Sequence, residues 1–146
     1  NCTGEEKLKE LIDDIVLQHG GLDLVIALCS GNAEEHATQH ENAIFHALCK
    51  IASRPMQVQH AIAPQQLFDI IAVGARVDGM AQAAREHLDH GIKINALRPS
   101  RDEITPMGRA IRDEDLTKAL LYLIEQQFET AMVLPVAGGY RLRQQN

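Results

Sequence analysis

The chain has 146 residues, enough for one domain with a real core, and a formal charge of −6 at pH 7. That acidic balance leaves no basic footprint for nucleic acid or anionic lipid, so neither is expected as a partner. No apolar run approaches the ~20 residues that span a bilayer, and the N-terminal stretch lacks the pattern of a signal peptide, so no membrane association is expected.

Along the chain, helical and strand patterns alternate. Thr3 and Glu6 have the spacing of a capping box, and Leu8, Leu11, Ile12, Ile15 and Val16 then recur at helical spacing until Gly20 and Gly21. Residues 22–28 form a short, nearly all-apolar run bounded by glycines, which suits a strand buried on both faces of a parallel sheet. Asn32 and Glu35 make a second capping box, opening a helix with Ala33, Ala37, Ile44, Ala47, Leu48 and Ile51 along one side and Pro55 as its stop. Residues 58–63 are a weaker strand candidate.

From Pro64 the spacing of Leu67, Ile70, Ile71, Gly74, Val77, Ala81, Ala84 and Leu88 predicts one long helix to about His90, ended by Gly91. Residues 92–97 read as a strand, Asp113 as an N-cap, Leu116, Ala119, Leu120, Leu123 and Ile124 as a helix stripe, and residues 131–136 as a last strand. The alternation predicts an α/β fold, a parallel sheet flanked by helices with right-handed crossovers, as one domain over residues 1–146.

Cysteine and histidine usage adds little chemistry. Cys2, Cys29 and Cys49 are an odd number without a Cys-x-x-Cys pair, so a disulfide framework or zinc ribbon is not indicated and a reducing, cytoplasmic setting is expected. Of seven histidines, His36 and His40 lie four apart on a predicted helix, with His46 and Cys49 beyond, but no third ligand is fixed by spacing; a solvated helix face is the reading, and no metal site is predicted. Cys29 follows a strand, where nucleophiles sit in other α/β enzymes, yet no acid–base partner is placed beside it, so a small buried cysteine is expected. The acidic run Asp113, Glu114 and Asp115 complements a helix dipole.

Several blocks in order carry a family resemblance. The sequence around Asn1-Cys2-Thr3-Gly4-Glu5-Glu6, then His19-Gly20-Gly21-Leu22-Asp23-Leu24-Val25-Ile26, Gly79-Met80-Ala81-Gln82-Ala83-Ala84-Arg85-Glu86, Ile92-Lys93-Ile94-Asn95-Ala96-Leu97-Arg98-Pro99-Ser100, Thr105-Pro106-Met107-Gly108-Arg109 and Leu134-Pro135-Val136-Ala137-Gly138-Gly139 resembles the short-chain dehydrogenases/reductases from the end of their third strand onward. The resemblance implies a Rossmann-like fold without its first nucleotide-binding βαβ unit, and a family activity of NAD(P)-dependent carbonyl reduction or alcohol oxidation.

The family's chemistry does not follow. Its reaction uses a Tyr-x-x-x-Lys pair, a Ser upstream and a Gly-rich turn under the dinucleotide pyrophosphate. Counting back from Gly79 puts the Tyr and Lys positions at about Ile70 and Gly74, and no shift of alignment helps. There is no Tyr before Tyr122, no Lys between Lys50 and Lys93, and no Ser or Thr between Ser53 and Ser100. The family's Asn-Asn-Ala-Gly falls near Ala27, Leu28, Cys29 and Ser30, without its amides. Asn42 lies near the family's helix Asn, where a remnant of its proton relay would sit, but reads as an exposed helix residue.

Pro99 and Ser100 occupy the place of the family's Pro-Gly, whose backbone faces the nicotinamide, and stand as vestigial cofactor-binding positions; Ser lacks the glycine's conformational freedom. The stretch 101–109 is short for a substrate lid, and Ala137 replaces the acid usual before the last Gly-Gly. No catalytic residue is assigned.

Small residues at Ala72, Gly74, Ala75, Gly79, Ala81, Ala83 and Ala84 would let another helix approach the predicted long helix, and the family assembles through that helix. The competing reading is packing of these residues on the chain's own sheet. Loss of the first βαβ unit also leaves a sheet edge that a partner, a swapped strand or a loop is expected to cover.

The leading expectation is a catalytically degenerate protein of this fold, a structural or regulatory subunit in a homo-oligomer or a hetero-oligomer with another short-chain dehydrogenase/reductase, with no cofactor for this chain alone. The alternatives are the C-terminal part of an NAD(P)-dependent oxidoreductase, with NAD(P) supplied by missing sequence or a partner, and a small-molecule sensor using the crevice at the strands' carboxyl ends.

Overall fold

The computed structural model describes residues 4–29, 35–74, 79–100 and 104–139, with only the backbone at 35–41. Its elements are α1 (Gly4–His19), β1 (Leu24–Leu28), α2 (Glu35–Ile62), β2 (Phe68–Val73), α3 (Met80–His87), a 3-10 turn (Leu88–His90), β3 (Ile92–Pro99), α4 (Asp113–Glu125) and β4 (Val133–Val136). The four strands form one all-parallel sheet in the order β1-β2-β3-β4. The α/β, Rossmann-like reading therefore holds. The caps proposed at Thr3 and Asn32 lie outside the described residues, as do the side chains of His36 and His40.

Two strand and helix expectations fail, each for an identifiable reason. Residues 68–73 are a strand in the middle of the sheet, not the first turns of a long helix; Phe68, Ile70, Ile71 and Ala72 are at most 1% exposed. A short apolar run fits helical and buried-strand spacing alike, and here the flanking β1 and β3 supply hydrogen bonds on both sides. Pro55 also lies inside α2, which continues to Ile62 through the predicted weak strand. Proline removes one ladder bond, but Ala52 and Met56 are fully buried around it. The last turns are also tied down: Leu22 N–H donates to Gln59 Oε1 (2.7 Å), and Gln59 Nε2 donates to Asp23 (3.2 Å). Tertiary contacts override the breaker.

The sheet is covered unequally. One face carries α1, α2 and α3, with Phe45, Leu48, Ala52, Met56, Ala83 and Ala84 packed on Ile70, Ala72, Ile92 and Ile94. Ala83 and Ala84 of α3 thus pack in this chain's own core, while Ala81 is exposed; the long helix expected to carry the small residues is instead β2 and the short α3. The other face carries α4, whose Leu123 meets Ile71 and Leu97, flanked by Leu116, Leu120, Leu134 and Val136. Register aligns Leu24 with Asp69 and Lys93, and Ile26 with Ile71 and Asn95, on this second face. Leu24, Ile26 and Leu28 remain 37, 40 and 83% exposed there.

Two buried polar residues lock α4 to this face. Lys93 Nζ lies 3.0 Å from Asp69 Oδ1, their side chains 7 and 10% exposed, and donates to the carbonyls of Leu123, Ile124 and Gln126 at the end of α4. The ammonium thus meets the negative end of the helix dipole. Asp69 Oδ1 has no well-angled hydrogen bond, so its contact with Lys93 is chiefly ionic, and burial raises the carboxyl pKa more than Lys93 lowers it. Asn95 bridges the chain after α4, donating to Glu129 O (3.0 Å) and accepting from Met132 N–H (3.0 Å).

Candidate functional site

Open parallel sheets bind ligands at the carboxyl ends of their strands, so the chemistry available there decides what this fold can do. The end of β1 delivers Cys29, half-buried, whose N–H donates to Val73 O (2.8 Å). The end of β2 delivers Gly74, whose N–H donates to Leu97 O (3.0 Å). Gly74 has φ +133°, and a Cβ there would stand 2.5 Å from Cys29 O. Only glycine lets the ends of β1 and β2 close this tightly.

Six residues, 74–79, then join β2 to α3. They read Gly-Ala-Arg-Val-Asp-Gly, with 75–78 outside the described residues. The Tyr and Lys positions expected near Ile70 and Gly74 are thereby corrected: Ile70 is a fully buried central-strand residue and Gly74 is the strand's end. The connection contains no Tyr, Lys, Ser or Thr, so no Tyr-x-x-x-Lys segment stands ahead of α3. At its far side, Gly79 sits against the His46 ring, where a Cβ would come within 2.6 Å of Nε2. His46 in turn meets Phe45 edge-on.

Pro99 and Ser100 close β3. Pro99 pairs in register with Val136, and Ser100 N–H donates to Val136 O (2.8 Å), so the backbone donor at the vestigial cofactor position is bound into the ladder with β4. Both residues are half-buried. Beyond them, residues 104–112 fold onto the end of β4. Thr105 is buried and its hydroxyl donates to Arg109 O (2.7 Å), while Met107 N–H donates to Gly138 O (3.0 Å).

Arg109 grips Asp115 with both guanidinium nitrogens, and Arg112 N–H adds a third bond to the same carboxylate (3.0 Å). The hydrogen bonds from Arg109 come first among the causes that hold the Asp115 carboxyl well below the usual range. Asp113, expected as the N-cap of α4, is its first helical residue, with Arg112 at the cap.

Between this loop, α4 and β4 lies a groove of about 360 Å³, lined mainly by Met107, Ile111, Ala119, Leu134 and Val136. It is apolar, and its one charged pair is already satisfied internally. The cysteines add no nucleophile: Cys49 is buried in the core, and burial pushes its thiol up to about 12. Asn42 is half-buried on α2. No group of three or more His, Cys, Asp or Glu side chains comes together among the described residues.

A dinucleotide does not fit the residues present. Its pyrophosphate requires a Gly-rich turn between a strand and a helix N-terminus. The sequence holds no Gly-x-Gly-x-x-Gly run, and among the described residues Pro99 has no N–H, the Ser100 N–H is bonded to Val136 O, and no phenol–ammonium pair stands at the strand ends.

No protein-family model matches the chain. No curated protein matches its sequence. Solved structures do match its fold. An NADH-dependent reductase A1-R′ complexed with NAD superposes with TM-score 0.75 at 18% identity, over 93% of this chain and 70% of that one. A hydroxysteroid dehydrogenase from Escherichia coli gives 0.72 at 16%, over 93% and 71%. A 2-keto-3-deoxy-D-gluconate dehydrogenase from Streptococcus agalactiae gives 0.73 at 16%, over 99% and 74%. The chain has the short-chain dehydrogenase/reductase fold over about seven tenths of those proteins' length. No helix among the described residues is long and apolar enough to cross a membrane.

Proposed function

We propose that this chain is a non-reducing protein of the short-chain dehydrogenase/reductase fold that works by association, with itself or with a longer chain of the same fold that carries NAD(P). The observation that carries the reading is the six-residue connection from β2 to α3. It joins two elements that pack normally, yet omits the stretch in which the resembling family keeps its proton donor. The fold is retained where it stabilises the sheet and shortened where the reaction would be.

The open outer face of β1 supports association. Leu24, Ile26 and Leu28 are exposed on a strand whose every residue is apolar. Cys29 and Cys49 are not joined in a disulfide, which fits the reducing cytoplasm proposed as its setting.

The rival reading is the C-terminal part of an NAD(P)-dependent oxidoreductase. The share of the neighbours' length that this chain spans favours it, and the same open β1 would then receive the nucleotide-binding half. It leaves the proton donor unassigned. Pro99 and Ser100 would in that case lie beside the nicotinamide.

Native mass spectrometry of the protein from its own host, with small molecules retained, is the test. A complex with a second copy or with a longer NAD(P)-bearing chain supports association. Robust NAD(P)H-dependent carbonyl reduction by the purified chain alone overturns the reading.

A further inference from the structure

We draw no further inference here: the strongest candidate, the apolar groove that Met107, Ile111, Ala119, Leu134 and Val136 line between residues 104–112, α4 and β4, carries nothing because nothing among the described residues shows what covers it.

Discussion

Removing the Lys93 charge tests the packing argument at its least forgiving point. In Lys93→Met the aliphatic stem is nearly preserved, but Asp69 loses its counter-ion 3.0 Å away and three carbonyls at the end of α4 lose a donor. Breaking a buried ion pair from one side costs about 3–5 kcal/mol, because the remaining charge stays in a medium that solvates it poorly. Against a typical stability of about 5–15 kcal/mol this is a large fraction. It corresponds to a fall in Tm of roughly 10 °C for a chain of this size.

The pH dependence gives the argument a second handle. Burial raises the Asp69 pKa above its unfolded value, so between the two values the folded state holds more protons than the unfolded state. Stability from this group is therefore fully present below the unfolded carboxyl pKa and is lost as pH rises through the folded one. Without Lys93, which lowers that pKa, the window moves further up. The deficit of Lys93→Met should accordingly be largest near neutral pH and shrink in mild acid, where Asp69 is protonated. Urea denaturation of both proteins at pH 7 and pH 4.5 measures it. A loss below about 1 kcal/mol at pH 7, or the same loss at both pH values, would refute the claim that an uncompensated Asp69 is what destabilises the variant.

Gly74→Ala must place a methyl group 2.5 Å from Cys29 O at φ +133°, and should cost about 2 kcal/mol or more in thermal denaturation; a variant as stable as wild type would mean that the ends of β1 and β2 are not held this close. Asp115 has its pKa lowered chiefly by the hydrogen bonds from Arg109, so its contribution is present above the unfolded carboxyl pKa and fades as pH falls through the folded one. Asp115→Asn should therefore flatten the acid limb of the stability profile, read by circular dichroism from pH 2 to 6, and an unchanged limb would remove the role given to Arg109. Leu123→Ala empties the centre of the α4 face, where Leu123 is 0% exposed, and should lose about 2–5 kcal/mol by urea denaturation. In a native-state thiol assay at pH 8, Cys49, whose thiol is pushed up to about 12, should react only on unfolding; rapid labelling would contradict its burial.

Much of this fold was legible because the relevant signals are local. The glycines before Leu22 and at Gly91, and the apolar runs that follow them, mark β1 and β3; the stripe through Leu116, Leu120 and Leu123 marks α4. The central strand β2 was not legible, since Ile70, Ile71 and Gly74 fit a helical stripe as well as they fit a buried strand, and only the flanking strands decide between them. Pro55 misled for a related reason: the contacts that carry α2 past it come from Gln59 and the turn at Leu22, 37 residues away. The Asp69 and Lys93 pair left a readable trace, each being the second residue of its strand. Register makes them neighbours, but register is visible only once β2 is recognised.

The same ambiguity bears on the proposal that this chain does not reduce carbonyls. Taken as one long helix, residues 64–90 suggest a catalytic helix with its Tyr and Lys replaced by Ile70 and Gly74, a loss by substitution. With β2 in place, the proposed difference from the resembling family is one of length. Six residues separate β2 from α3, and on the proposed reading they stand where the resembling family has the turns that carry its proton donor. The distinction matters for what the chain could regain. On that proposal a proton donor would require an insertion ahead of α3, where Gly79 now packs against His46. Nothing in the core opposes such a shortening, because Ala83 and Ala84 on the retained half already cover β3. On the proposed reading, the part of α3 that covers the sheet is kept, while the turns that would carry a proton donor in the resembling family are not.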